Sequence, residues 1–325
     1  MACLAYQLPN EELKIYKGIW VESDLERLPE HCFFITDFTK KKVFYFEENE
    51  TTDSFSNADL VFNKEDSVFV ANEKAYLNGL QYFIDGFEMF GIQKAIFSRI
   101  KLVDREQIIE METVFHRLAK TYKNQALVYL VSDEKFGTWM GATPETLLSG
   151  TENAMNSMAL AGTKRSEKTA WTKKEIDEQQ YVVDFVKDKI NEQSPENLVI
   201  SEARTVKKGA VYHLQTDYQF KLERQKWNTL IQSLHPTPAV CGTPSDLAKD
   251  YILSNEPHDR DFYTGLIGLK SQKELAVYVN LRCMQVLEEH FALYVGGGIT
   301  LSSDIAKELQ ETEDKSETLL SVIFS

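Results

Sequence analysis

Residues 278–315 read YVNLRCMQVLEEHFALYVGGGITLSSDIAKELQETEDK, and the fold is decided in this stretch. Ala276, Tyr278, Asn280 and Arg282 alternate with Val277, Val279 and Leu281, the period-two signature of a strand. A second strand over 291–295 runs into Gly296, Gly297 and Gly298. Glycines let a backbone come close to a ligand and present its N–H groups. Ser302, Ser303 and Asp304 suit a helix N-cap, and the helix that follows carries Glu308, Glu311 and Lys315. Spacings of three and four put those three side chains on one face. A glycine-rich strand end beside two acids and a lysine suits a metal and an anion. A tight turn followed by a surface helix, with Glu311 and Lys315 as an i,i+4 ion pair, is the plainer alternative.

The rest of the chain narrows the class. With 43% hydrophobic and 26% charged residues in 325, the composition is that of a folded globular protein. A net charge of −14 argues against a nucleic-acid binder, which needs a basic footprint. An anionic small substrate would have to be held by local cations, a metal ion or backbone N–H groups. Cys3, Cys32, Cys241 and Cys283 show neither CxxC pairing nor metal spacing and read as free thiols of a reducing compartment. Residues 1–10 lack the features of a signal peptide, and no run of about 18 apolar residues suggests a membrane span. A cytoplasmic protein without membrane or nucleic-acid partners is expected. No linker divides the chain, which favours one domain over residues 1–325.

Residues 32–35 and 42–46 read as short strands, 47–53 as an acidic loop, and 71–87 as a helix with Tyr76, Leu80, Tyr82 and Phe83 apolar. Strands are expected at 94–99, 126–131 and 138–145, the last broken by Pro144. An amphipathic helix is expected over 104–123, with Ile108 and Ile109 among its apolar positions. Glu145, just past Trp139 and Met140, could lie in apolar surroundings that keep its proton on, or be the first-turn acid of a helix after Pro144. Thr172 and Glu175 fit a capping box, and Glu178 follows on the same face. Two acids one turn apart can place oxygens around Mg2+. Residues 211–216 alternate as a strand, and its lone His213 reads by default as a hydrogen-bonded wall residue. Prolines fix an irregular path through 230–244, which can wall a pocket or be a plain loop.

Ten segments then resemble, in order, the chorismate-utilising enzymes, the family of isochorismate, anthranilate, aminodeoxychorismate and salicylate synthases. They are KAIFSR (94–99), GATPETL (141–147), LAGT (160–163), Glu178 with Val182-Val183-Asp184, VYHLQT (211–216), HPTPAVCG (235–242), DRDFYTG (259–265), VNLR (279–282), GGGI (296–299) and ETEDK (311–315). The resemblance covers roughly residues 90–323, leaving 1–88 as a variable N-terminal part ahead of a catalytic core at 89–323. It implies an α+β fold, a single domain of two large, mainly antiparallel sheets packed between helices, as in the anthranilate synthase large subunit, with the active site in the cleft.

The resemblance also implies roles. Lys94 matches a general base that activates water for attack at C2 of chorismate, and Glu145 a general acid at the C4 hydroxyl. Glu178 and Glu311 match Mg2+ ligands, with Glu175 and Glu308 supporting them. Arg282, Tyr294 and Lys315 match positions that hold the enolpyruvyl group and its carboxylate, and Thr163, Gly297 and Gly298 match anion contacts. Ala239, Val240 and His213 match the pocket wall. The HPTPAV segment is similar to the isochorismate synthase branch, which serves menaquinone or siderophore biosynthesis; salicylate synthase and the anthranilate synthase large subunit are the alternatives. Ala161 stands where the aminodeoxychorismate branch carries a nucleophilic lysine, and water as nucleophile requires no amidotransferase subunit. Gln179 replaces a histidine that often follows the metal glutamate.

Overall fold

A computed structural model describes residues 2–105, 109–209 and 211–325. Among them are seventeen strands: β1 (Ala2–Gln7), β2 (Lys14–Ser23), β3 (Cys32–Thr36), β4 (Val43–Thr52), β5 (Lys94–Asp104), β6 (Leu127–Asp133), β7 (Gly137–Thr143), β8 (Thr146–Thr151), β9 (Ala154–Lys164), β10 (Glu196–Ile200), β11 (Arg204–Lys208), β12 (Val211–Lys221), β13 (Gly242–Thr243), β14 (Leu266–Lys270), β15 (Leu275–Val279), β16 (Cys283–Val286) and β17 (His290–Ile299). The α-helices are α1 (Glu73–Asp85), α2 (Phe87–Phe90), α3 (Met111–Tyr122), α4 (Lys173–Glu192), α5 (Trp227–Leu234), α6 (Ser245–Asn255) and α7 (Ile305–Ile323).

Every ladder between these strands is antiparallel, and the pairings form one path. One leaf runs β13-β5-β17-β16-β7-β6-β1-β2. The other continues β4-β3-β14-β15-β8-β9-β12, with β10 and β11 both on β12. The N-terminal residues are therefore woven into the same network as the rest.

Period-two patterning explains the layers. Leu127, Tyr129 and Val131 of β6 point into an aromatic core with Trp20, Phe33, Phe46, Trp139 and Tyr278, drawn from both leaves. Val128 and Leu130 point the other way, against α3 and α7. On the second leaf, Leu148, Ala159 and Tyr218 meet α4 and α5. Sheets covered on both faces need apolar residues at both parities, as these strands have. The result is helices, leaf, leaf, helices, which is the expected pair of antiparallel sheets between helices, joined into one hydrogen-bonded network. Among the described residues, no helix is long and apolar enough to cross a membrane.

Several local expectations are corrected. Residues 47–52 are not a loop but the outer half of β4, paired to β2 alone and lined with exposed acids, as sheet edges often are. Tyr82 is exposed, whereas Tyr76, Leu80 and Phe83 are buried. The third helix starts at Met111 rather than 104, and Ile108 lies outside the described residues. No helix follows Pro144; β8 begins at Thr146. The strand expected to reach Arg282 ends at Val279, because there the chain crosses from one leaf to the other.

That crossing positions the chemistry. Two of the places where the chain passes from one leaf to the other, the short links through Pro144-Glu145 and through 280–282, lie side by side. Val279 N–H donates to the Glu145 carbonyl at 3.0 Å, and Ala142 N–H to the Arg282 carbonyl at 3.0 Å. Asn280 pins the second crossing by accepting from the Tyr129 hydroxyl at 2.7 Å and donating to Phe262 O at 2.9 Å. Arg282 adopts φ 48°, an uncommon conformation for a side-chain-bearing residue, held by these neighbours.

Candidate active site

A cavity opens at the end of the leaves, between β9 and β12 on one side, β5 and β17 on the other, and α4 and α7 above. It encloses about 620 Å³ of atom-free space, part of it open to solvent. Lys94, Glu145, Glu178, Arg282, Glu311 and Lys315 all line it, as do the expected wall and anion positions Thr163, His213, Ala239, Val240 and Gly298. These eleven come from segments more than 200 residues apart in sequence.

Each charged group has a local reason for its place. Lys94, the first residue of β5, is 2% exposed. Burial pulls its ammonium below the ordinary lysine range, helped by nearby Lys174 and Lys315 and opposed by Glu178, whose Oε2 is 3.8 Å from Nζ. Glu145 is 4% exposed, and burial raises its carboxyl to about 7 despite Arg282, Lys94 and Lys315. Loss of solvation disfavours whichever form is charged, so one environment lowers a lysine and raises a carboxylic acid.

The glycines of β17 make room for this cluster. They are not a turn: they pair in register with Ser98, Phe97 and Ile96 of β5. A Cβ at Gly298 would come within 2.8 Å of Lys94 Cε and 3.3 Å of the Glu178 carboxylate, so this approach demands glycine. β16 pairs with β17 only as far as Tyr294, so beyond that point the second edge of β17 has no strand partner among the described residues. There the Gly296 carbonyl accepts from Lys315 Nζ at 2.8 Å.

The helices bring in the acids. Gln179 anchors α4 by donating to Ala159 O and Thr216 Oγ1, at 3.2 and 3.3 Å, so the residue that replaces the expected histidine docks the helix on β9 and β12. Arg99 fixes α7 through Thr312 Oγ1 at 2.9 Å and an ion pair with Glu313. Glu311 pairs with Lys315 at 2.7 Å. Burial works against the Glu311 charge, but Lys315 and Lys174 hold its carboxyl below the usual range. Burial raises Glu308, which faces Lys174. His213 Nδ1 donates to Gly162 O at 2.6 Å, which leaves Nε2 as acceptor for Arg282 Nη2 at 3.3 Å. Burial, with Arg282 next to it, lowers this imidazole to about 3, so it stays neutral and aims the guanidinium.

Four expected residues lie elsewhere. Tyr294 shares the parity of Gly296 and Gly298 but sits deeper between the leaves, its ring packed on Trp139 and Tyr263, outside the cavity lining. Gly297 faces the opposite side of β17, where a Cβ would stand 3.3 Å from Glu308 Oε2. Glu175 turns back to accept from Thr172 N–H at 2.8 Å, completing the capping box. Glu175 and Glu308 line a second cavity that shares Thr163 and Glu311 with the first. Sequence reading missed Ile96, Leu160, Tyr263 and Leu281 as lining residues, and it missed the buried Glu256–Arg260 pair. Arg260 donates to Val240 O and Ile96 O, fastening the proline-rich wall to β5. Its i,i+4 spacing to Glu256 was the available signal.

A divalent cation fits the acids. Glu178, Glu308 and Glu311 offer oxygen donors only, which suits Mg2+. Glu178 Oε1 and Glu308 Oε2 are buried without a hydrogen-bond partner. Among the described residues, no three acidic, histidine or cysteine groups already surround one point at ligand spacing. Lys94, Lys174 and Lys315 stand beside these carboxylates.

The model of the chorismate binding enzyme family matches residues 33–324. The chain belongs to that family. It is similar to isochorismate synthase DhbC of Bacillus subtilis strain 168, with 28% identity over 271 residues, 77% of this chain and 68% of the relative. Isochorismate synthase EntC of Escherichia coli strain K12 is 28% identical over 244 residues, 71% of this chain and 62% of the relative. The chain thus spans about two thirds of the length of these relatives. The crystal structure of a putative 2,3-dihydroxybenzoate-specific isochorismate synthase, DhbC of Bacillus anthracis, superposes with a TM-score of 0.80, covering 99% of this chain and 96% of that one at 24% identity. That likeness establishes the shared fold.

Proposed function

We propose that this family member is an isochorismate synthase, converting chorismate to isochorismate with Mg2+ held by Glu178 and Glu311. The observation that carries the reading is the pairing of Lys94 and Glu145 in one cavity, with burial moving the lysine down and the glutamic acid up to about 7. A base must be neutral and an acid protonated near neutral pH, and both displacements have the needed sign.

In this reading the neutral Lys94 amine takes a proton from water as its oxygen bonds to C2. Both ring double bonds shift, C1=C2 to C1=C6 and C5=C6 to C4=C5, as the C4–O bond breaks and the hydroxyl leaves with the proton of Glu145. One water enters and one departs, so the reaction is an isomerisation. Transfer of a proton from Lys94 back to Glu145 through solvent resets the pair. Mg2+, when bound, supplies positive charge for the ring carboxylate. Arg282, aimed by His213, and Lys315 face the second carboxylate, and Ala239, Val240 and Leu281 supply the apolar wall. Ala161 offers no amine at the point where an amine-adding relative needs one.

The relatives bear names tied to siderophore and menaquinone routes alike, and we assign the product to that same pair of uses in the cytoplasm. The test is incubation of purified protein with Mg2+ and chorismate, followed by chromatographic product analysis. Isochorismate is expected without any amidotransferase subunit. Salicylate with pyruvate, or anthranilate on adding ammonia, would replace this reading, and absence of turnover would overturn it.

A further inference from the structure

Lys174 belongs to none of the roles above, yet it occupies the most telling position near the acids. It lies in the first turn of α4, one turn before Glu178. Its Nζ is 3.7 Å from Glu178 Oε1 and also pairs with Glu308 of α7. One ammonium therefore bridges the two helices that carry the carboxylates. An ordinary surface i,i+4 pair would leave its acid in water, but the Glu178 and Glu308 side chains are only 10% and 3% exposed. Glu178 Oε1 and Glu308 Oε2 are buried and make no hydrogen bond, the former having Lys174 Nζ only at ion-pair distance. Lys94 also stands 3.8 Å from Glu178 Oε2, but Lys174 is the ammonium that lies between the acids of both helices.

We infer that Lys174 is a tethered counter-ion that occupies the cation position between Glu178 and Glu308 and must withdraw when a divalent ion binds. The inference rests on the reading of Glu178 and Glu311 as metal ligands. The structure provides both the reason and the space for withdrawal. An ammonium and a divalent ion repel each other at contact distance, so both cannot stay between the same carboxylates. Lys174 does not line the cavity holding Lys94 and Glu145; it lines the second cavity, across Glu308 and Glu311. Glu175 and Asp304, which cap α4 and α7, and Asp314, which pairs with Arg165, also line that second cavity and can share their carboxylates with a flexible four-carbon stem that turns toward them. Without metal the lysine keeps the buried acids from repelling one another. With metal it becomes a competitor, so it weakens the metal affinity of the site.

The experiment compares substrate-free wild type with Lys174→Met, Lys174→Gln and the charge-preserving Lys174→Arg. Mg2+ and Mn2+ dissociation constants are measured by calorimetry, and Tm is measured in chelator and in excess Mg2+. The Met and Gln variants are expected to bind metal at least fivefold more tightly, to melt lower than wild type in chelator, and to gain more from Mg2+. The Arg variant is expected to stay within twofold of wild type. A structural role alone would lower Tm without tightening metal binding. Unchanged or weaker metal binding in the neutral variants, beside measurable binding by wild type, overturns the lysine inference and leaves the metal reading standing. No metal binding by any form overturns both. The unaltered protein supplies an independent check if the variants do not fold. Acylation of Lys174, followed by mass spectrometry, is expected to speed up severalfold when Mg2+ is added, and an unchanged rate refutes the withdrawal.

Discussion

Glu145→Gln separates catalysis from stability in a way that few substitutions can. Glutamine keeps the shape of a protonated glutamic acid but has no proton to give and no charge to bury. The wild-type carboxyl moves from 4.5 to about 7 on folding because burial disfavours its anion. At 1.36 kcal/mol per pH unit that displacement amounts to about 3 kcal/mol. The sign follows from linkage: between pH 4.5 and 7 the native state holds more of this proton than the unfolded state does, so wild-type stability falls as pH rises through that window. Below pH 4.5 the group is neutral in both states and the difference vanishes. Glu145→Gln removes the titration, so the variant is expected to match wild type near pH 4 and to exceed it by about 3 kcal/mol at pH 8 and above. Its turnover is expected to fall by about 10²–10⁴, the usual contribution of a general acid. The assay is urea denaturation of both proteins at pH 4, 6 and 8, with turnover measured at pH 7. A stability difference that does not grow with pH, or a variant less stable than wild type at pH 8, would show that burial is not what shifts this carboxyl.

Lys94→Ala is expected to reduce turnover by about 10²–10⁴ while Mg2+-dependent chorismate binding, read by calorimetry, persists; near-native turnover would remove Lys94 from the base role. Glu311→Ala is expected to raise the Mg2+ concentration for half-maximal activity at least tenfold, and an unchanged titration would take it out of the metal site. His213→Phe deletes the Nε2 acceptor of Arg282. With a net hydrogen-bond worth of about 1 kcal/mol, KM for chorismate is expected to rise about fivefold with kcat little changed, and a fall in kcat alone would refute a positioning role. Glu256→Ala breaks a buried pair at 2.6 Å and leaves Arg260 uncompensated. A loss of about 3–5 kcal/mol in denaturant unfolding is expected, and a loss below about 1 kcal/mol would mean the wall is held by other contacts.

The parts of this site visible in the sequence are those that local spacing constrains. The capping box of Thr172 and Glu175, the N-cap at Asp304 and the common face of Glu311 and Lys315 follow from helical geometry, and each stands as expected. Period two likewise located β12 and β15, although not their partners. Meeting points of distant segments were not visible by this route. Arg282 was read as a continuing strand residue because alternation carries no mark of the leaf crossing that ends β15 at Val279. Tyr294 shows the complementary case. The resemblance, not periodicity, put it with the site; it shares the parity of Gly298, but four residues along a strand is roughly 13 Å, enough to move a side chain from the mouth of a cleft to its aromatic floor. The family resemblance supplied the tertiary information that periodicity lacks, since its segments mark which distant residues share a site.

The glycine run at 296–298 draws these strands together, because its meaning changed with the partners placed around it. Three glycines in sequence suggest a turn, and backbone N–H groups aimed at an anion. In the fold they remain extended and paired to β5, and what they supply first is the absence of side chains. Lys94 and Glu178 close on one side at Gly298, Glu308 and Glu311 on the other at Gly297. A Cβ at Gly298 would force Lys94 to shift, whereas one at Gly297 would only crowd Glu308 Oε2 at 3.3 Å. Burial, which outweighs the pull of the opposite charges, is what makes the chemistry reachable at neutral pH. The same burial that depresses Lys94 raises Glu145, and three lysines keep three carboxylates together in a chain of net charge −14. Gly298→Ala therefore tests the arrangement as a unit: the added methyl is expected to displace Lys94 from Glu178 and cut turnover at least a hundredfold. Wild-type turnover in Gly298→Ala would mean that the lysine and the glutamate do not need this proximity.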